Sequence, residues 1–188
     1  DFCLSRGLGD VYKRQAYFCW GLYYMFGNRT KYKNVQEAMT VWKDYMVSMG
    51  FGYKLGIDLP GEKRGLIPNA PFYDKAYRGS WNGLTVISIS IGQGEVNATP
   101  LQIANLGATI ANRGYFITPH VVKQIQDEQI DTLYTRRRYT KVEARHYETV
   151  VQGMRRAVLA GTCRKANIPG IEVCGKTGTA PVSYTHLT

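Results

Sequence analysis

The run TPLQIANLGATIANRG, residues 99–114, constrains this chain most, because both ends of a helix are written into it. Thr99 caps the first turn, Pro100 takes the first helical position, where its missing N–H is harmless, and Gln102 completes a capping box. Gly114 stops it. Before it, residues 84–98 form an apolar run that ends in a Gly-Gln-Gly turn. After it, YFITPHVVKQI (115–125) reads as a strand entering a sheet. NVQEAMTVWKDYMVSMG (34–50) is an amphipathic helix with Asn34 as cap, Glu37 at the capping-box position and Gly50 at its end. Val35, Ala38, Met39, Trp42, Tyr45, Met46 and Met49 share one face, and a stripe at this spacing is core, not a cofactor box. VEARHYETVVQGMRRAVLAG (142–161) is another helix, with Tyr147, Val150, Val151, Met154 and Val158 inward. AYFCWGLYYMF (16–26) reads as a buried helix or part of one, far short of a membrane span. Helices and strands mix without a βαβ rhythm or repeats, which points to an α+β fold.

GFGYKLGIDLPGEKRGLIPNAPFY (50–73) is rich in glycine and proline and reads as one long shaped loop. Its Asp58 and Glu62 are read as loop-ordering carboxylates, not as an acid/base pair. At 44% hydrophobic and 20% charged the chain is globular, not disordered. A net charge of +10 suits nucleic acid, an anionic membrane surface or an anionic polymer. The basic residues are scattered, however, except for Arg136, Arg137 and Arg138, and that triplet is expected on a solvated loop. Cys3 lies in the N-terminal stretch; Cys19, Cys163 and Cys174 show neither CxxC nor metal-ligand spacing and are expected as free, buried thiols. His120 and His146 have nothing of metal spacing around them and are expected to be structural or exposed. No metal or cofactor is expected.

The two ends read differently from the middle. DVYKRQ (10–15) and VSYTHL (182–187) are translations of one short DNA element in opposite orientations, which resembles the transposase mosaic end of a sequencing adapter. Residues 1–15 and 181–188 are therefore expected to be non-native, and residues 16–180 to be an internal part of one domain.

The chemistry is concentrated in GKTGTA, 175–180, which follows the strand-like Ile171-Glu172-Val173-Cys174. Lys-Thr-Gly alone is weak, and a lysine on an edge strand is a common guard against aggregation. The longer string is more specific. Glycines on both sides let another chain lie flat by strand addition. A threonine hydroxyl there can donate to an anionic end of that chain, and a lysine adds positive potential to a carboxylate or a catalytic hydroxyl.

This strand, the helix before it, and GIDLPGEKRGLIP (56–68), SIGQGEVNATPLQIA (90–104) and GYFITPHVV (114–122) resemble, in order, the transpeptidase domain of class B penicillin-binding proteins. Within that family the elongation transpeptidases are the most similar. The resemblance implies a penicillin-binding-protein and serine β-lactamase-like fold: an antiparallel sheet with helices on both sides and a helical subdomain. It implies a serine that attacks a peptidoglycan stem peptide, releases D-Ala and passes the acyl group to an amine on a neighbouring strand. Lys176 would supply charge near the substrate carboxylate, Thr177 would hydrogen-bond that carboxylate, and Gly178 would let the substrate backbone approach. Thr179 would offer its N–H to the oxyanion hole and its hydroxyl to the substrate. Partners implied are stem peptides, β-lactams and a glycosyltransferase of the elongation machinery, with no nucleic acid. One N-terminal transmembrane anchor would hold the catalytic domain outside the cytoplasmic membrane.

Two family features are missing from the string. No serine is followed three positions later by lysine, so the nucleophile motif is not in these residues, and this chain by itself is expected to be inactive. Ser80-Trp81-Asn82 has the letters of the second motif but the wrong place in the order, and a turn or loop is expected there. A β-lactam sensor domain and an inactive scaffold share the fold and remain the alternatives. GIDLPGEKRGLIP and GQGEVNATPLQIA favour the enzyme.

Overall fold

The computed structural model describes residues 34–86, 89, 94–126 and 128–178. The two end stretches, the helix expected at 16–26, Cys3, Cys19, Thr179 and part of the apolar run before the Gly-Gln-Gly turn lie outside the described residues. Those described contain four α-helices, α1 (Val35–Ser48), α2 (Ala70–Tyr77), α3 (Pro100–Ala111) and α4 (Ala144–Leu159), and two short strands, β1 (Tyr115–Phe116) and β2 (Arg138–Tyr139). The strands pair antiparallel, Tyr115 opposite Tyr139 and Phe116 opposite Arg138. The chain is α+β.

The helix ends follow the caps read from the sequence. Asn34 Oδ1 accepts from Glu37 N at 2.8 Å. At α3 both halves of the box form: Thr99 Oγ1 accepts from Gln102 N at 3.2 Å, and Gln102 Oε1 accepts from Thr99 N at 3.0 Å. Past α3, Gly114 at φ +112 donates its N–H to Thr109 O, closing the helix end.

The main core joins α1, α2 and the segment after α2. Ala38, Met39 and Trp42 of α1 meet Phe51, Ile67, Tyr73, Trp81, Val86 and Ile89. A second packed zone brings α3 against β1 and α4, where Phe116, Tyr147 and Val158 are buried. Tyr45 and Val150, expected inward, are 41% and 44% exposed. The reason is angular. At roughly 100° per residue, Tyr147, Val151, Met154 and Val158 form a narrow stripe, and Val150 sits roughly 60° off it. Tyr45 has a similar offset from the α1 stripe.

Two other expectations change. The strand expected over 115–125 ends at Phe116. Beyond it Pro119 has no N–H to give a ladder, and the N–H groups of Val121 and Val122 go to the Asp58 carboxylate instead. The loop expected over 50–73 contains the start of α2, where Asn69 Oδ1 accepts from Phe72 N at 3.0 Å and Pro71 sits in the first turn.

Gln102 locks this loop to α3. Its side chain is 1% exposed, and Nε2 donates to Tyr53 O and Arg64 O, each at 3.0 Å. Beside it Leu66 and Asn97 form an isolated bridge. Gly65 lies at φ +63, and any Cβ there would collide with Asn97 O, so the bridge requires glycine. Gln102→Leu keeps the volume but orphans two part-buried carbonyls and the Thr99 N–H. We expect it to lower the unfolding free energy by about 2–4 kcal/mol in urea titration, because each orphaned buried group costs about 1–3 kcal/mol. A loss of well under 1 kcal/mol would show that the lock carries no stability.

Candidate active-site segment

The segment ahead of the GKTGTA string is set up by the end of α4. Cys163 N donates to Ala157 O at 3.0 Å, turning the chain at Gly161-Thr162, and a 3-10 turn follows at Arg164–Ala166. A tight reversal bridges Ile168 to Ile171, with Gly170 at φ +79. Residues 172–178 then run extended back along α4. Gly175 N donates to Met154 O at 3.2 Å, and Arg155 Nη1 donates to Val173 O at 3.0 Å.

Exposure alternates along this segment. Val173, Gly175 and Thr177 are half-buried, whereas Cys174, Lys176 and Gly178 are exposed. The strand expected here has the two-residue period of a strand but no ladder among the described residues. The Gly175 N–H is taken by a helix carbonyl and the Val173 N–H by Ile171 O, neither by a neighbouring strand. Gly175 lies over the end of α4: a Cβ there would meet Val158 Cγ2 at 3.5 Å and Cys163 Sγ at 3.7 Å, ordinary packing distances. Among the described residues nothing lies within 4 Å of a Cβ position at Gly178.

The polar groups of the segment are close together. Lys176 is exposed, and its Nζ donates to Thr177 O at 2.5 Å. The Thr177 hydroxyl lies 3.3 Å from that of Thr162. Thr162 and Arg155 were not singled out in the sequence; the Gly161-Thr162 pair directly after a long helix is the only signal that pointed there. Thr179 falls outside the described residues.

The remaining candidates have structural surroundings. Trp81 is 7% exposed, and its Nε1 donates to Asp74 Oδ1 at 2.6 Å. Asn82 Oδ1 accepts from Leu84 N at 2.9 Å, so Ser80-Trp81-Asn82 is loop that leads into a turn at 83–86. Tyr73 donates its hydroxyl to Glu95 Oε2 at 2.7 Å, and burial, reinforced by that carboxylate, pushes its phenol well above the usual range. His120 Nδ1 lies 2.8 Å from Thr118 O, and its ring packs on Tyr134; His146 is exposed on α4. Two expectations are corrected. Cys163 is only half-buried and Cys174 is exposed, because the alternation of the extended segment turns Cys174 outward. Arg138 is not on a solvated loop. It belongs to β2, donates to Leu55 O and Tyr53 Oη at 3.3 and 3.0 Å, and stacks over Phe116.

Asp58 and Glu62 order the loop, as read. Glu62 accepts from Leu55, Gly56 and Ile57 N–H groups at 2.5, 3.0 and 3.2 Å. Asp58 accepts from Val121 N and Val122 N, which ties the loop to the chain after β1.

Residues 12–186 match the family described as the penicillin binding protein transpeptidase domain. The chain belongs to that family. The peptidoglycan D,D-transpeptidase MrdA of Acinetobacter baumannii is 31% identical over 189 residues, covering 95% of this chain and 26% of that protein. MrdA of Haemophilus influenzae is 36% identical over 147 residues, covering 74% of this chain and 22% of that protein. Among solved structures, Pseudomonas aeruginosa PBP2 in complex with WCK 5153 has a TM-score of 0.63 at 28% identity, covering 85% of this chain and 34% of that one. PBP2 from Helicobacter pylori, in a complex with MreC, has a TM-score of 0.68 at 25% identity, covering 92% of this chain and 29% of that one. The chain thus spans about a quarter of the length of the curated relatives just described.

The Asp58 link should be visible in the pH dependence of stability. Hydrogen bonds from Val122 and Val121 hold its carboxyl below its ordinary value of 3.8. A carboxyl lowered on folding stabilises the native state above 3.8, and that contribution is lost as pH falls through the lower folded value. We expect Tm to fall more steeply below pH 4 in the parent chain than in Asp58→Asn. Parallel profiles would mean that these bonds do not favour the ionised form.

Proposed function

We propose that this chain is part of a peptidoglycan D,D-transpeptidase and that its GKTGTA segment forms one wall of the substrate site. The observation that carries this reading is the extended 172–178 segment, with Lys176 and Gly178 on its outer face and its inner face seated on α4. Membership of the transpeptidase-domain family and the MrdA relatives support the reaction class.

In the proposed reaction a serine hydroxyl, supplied by a Ser-x-x-Lys segment, attacks the penultimate D-Ala carbonyl of a stem peptide. The amide bond to the terminal D-Ala breaks, and that residue leaves with the proton from the serine. An amine of a second stem peptide then attacks the ester, forms the crosslink amide and returns the serine to its hydroxyl form. Splitting one acyl transfer into two steps is the purpose of the covalent intermediate. In this scheme the Lys176 ammonium lowers the energy of negative charge at the substrate carboxylate and the reacting hydroxyls. Thr177 donates its hydroxyl to the carboxylate, and because it lies on the opposite face of the segment from Lys176 it must leave Thr162 to do so. Gly178, with no side chain and, among the described residues, open space beside it, lets the substrate backbone lie against the strand. Thr179 offers its N–H to the developing oxyanion.

β-Lactams would acylate the same serine. A solved relative, penicillin-binding protein 3 of Mycobacterium tuberculosis, is complexed with ampicillin, which supports a β-lactam-sensitive enzyme. The PBP2 relative in complex with MreC supports work in an assembly, for which we propose a glycosyltransferase of the elongation machinery as a further partner. We place the catalytic part outside the cytoplasmic membrane, held by an anchor elsewhere in the protein. Among the described residues no helix is long and apolar enough to cross a membrane.

The test is acylation by a fluorescent penicillin. These 188 residues contain no Ser-x-x-Lys, so the chain alone should remain unlabelled. Joined to a family segment that supplies the motif, it should be labelled, and the rate should depend on the GKTGTA segment. Thr177→Val keeps the shape and removes a hydrogen bond to a charged group, worth about 1.5–3 kcal/mol, so acylation should slow roughly ten- to a hundredfold. Lys176→Ala should slow it at least as much, and Lys176→Arg should also be harmful, because a planar fork does not replace a compact ammonium. If folded Thr177→Val and Lys176→Ala proteins both acylate at the parental rate, the segment is only structural.

A further inference from the structure

The arginine triplet has no place in the transpeptidase reading, yet it lines a groove of about 610 Å³. One wall is the end of α1, at Val47 and Ser48; the others are Tyr53 and residues 136–139. Among the described residues no carboxylate lines it. Two of the three guanidiniums are already held in place. Arg138 is fixed by Tyr53 Oη and Leu55 O, and Arg137 stacks 4.7 Å over the Tyr115 ring and bonds to Tyr139. The Arg136 side chain is exposed and has no partner among the described residues. Lys141 adds no unpaired charge, since it bonds to Asp44 at 2.8 Å.

Among the described residues the backbone beside these arginines is open at Tyr139, while the next outward N–H on that edge, that of Lys141, is taken by Ser48 Oγ at 3.0 Å. Thr140 N donates to Gly114 O at 2.9 Å, which makes that pair a hydrogen-bonded one in the antiparallel register. Pairs alternate along such a ladder, so Phe116 with Arg138 is the next bonded pair. Tyr115 with Tyr139 falls between them, and there the N–H and C=O of Tyr139 turn away from β1. Tyr139 itself is 69% exposed.

We infer that this groove docks an extended acidic segment of a partner protein, which adds as a strand to the free edge of β2 and places carboxylates on the Arg136 and Arg138 guanidiniums. Arg136 and Arg138 are two residues apart, so their backbone positions are roughly 7 Å apart in an extended chain, matching carboxylates at alternate positions of the added strand. A guanidinium fork takes a carboxylate through two parallel hydrogen bonds, and Arg138, already held by Tyr53, loses little freedom on binding. Strand addition favours a peptide over a phosphate chain, because only a peptide answers the outward N–H and C=O of Tyr139.

The test uses the 188-residue chain and a dye-labelled peptide alternating glutamate with valine, followed by fluorescence anisotropy. The peptide should bind, and binding should weaken as salt is raised. Arg136→Glu should weaken it at least tenfold while the far-ultraviolet circular dichroism stays unchanged, since that side chain holds nothing in the fold. A peptide with a central proline should bind at least tenfold more weakly, because it cannot complete the edge ladder. Polyphosphate and anionic phospholipid vesicles at matched charge should fail to displace the peptide. The inference is overturned if the glutamate peptide does not bind, if Arg136→Glu binds it equally, if proline makes no difference, or if polyphosphate or vesicles displace it.

Discussion

The hydrogen bonds of one buried glutamine hold the described parts of this chain in register. Gln102 is at the third position of α3, where its Oε1 caps the helix and its Nε2 ties down Tyr53 O and Arg64 O. A helix N-terminus has N–H groups with no internal partner, and a long loop has carbonyls with none. Here a single amide satisfies both at once. The consequences extend outward from it. With Tyr53 fixed, its hydroxyl accepts from Arg138, and Arg138 in turn lies over Phe116 of β1. With Arg64 fixed, Leu66 reaches Asn97 and the loop enters α2 against α1.

Features governed by neighbours in sequence were legible in advance. The caps at Asn34 and Thr99, the stop at Gly114 and the loop-ordering roles of Asp58 and Glu62 follow from local backbone needs, and the structure has them. What was not legible depends on distant partners. Nothing near Val121 in sequence shows that its N–H goes to Asp58, sixty-three residues away, and shortens a strand. Nothing near Arg138 shows that it is enclosed by Tyr53 and Phe116. A short helix such as α2, only eight residues long, has too few turns for its period to stand out from a proline-rich loop.

The candidate segment was only partly legible in its architecture. GKTGTA announces a segment with little side-chain bulk, and the two-residue alternation of exposure over 173–178 agrees with that reading. The helix beneath it was predicted, but not how the two meet. Gly175 lies over Val158 and Cys163, with room for ordinary contact, whereas no described atom lies within 4 Å of a Cβ position at Gly178, and only the structure separates the two surroundings.

Charge is the property that composition describes least well here. A net +10 reads as a general attraction to anions, but the cations do different work. Arg113 pairs with Glu148 at 3.1 Å and Lys141 with Asp44, both at exposed sites where such pairs add little stability. Arg155 holds the Val173 carbonyl and with it the start of the candidate site. Arg138 is structural, because its guanidinium meets a phenol, a carbonyl and an aromatic face and no carboxylate. An arginine satisfied by neutral acceptors keeps its full charge. It therefore raises the potential of its surroundings more than an arginine in a salt bridge, where the partner cancels it. The positive field of this surface is thus set less by the number of arginines than by which of them have neutral partners, and those are concentrated beside β2.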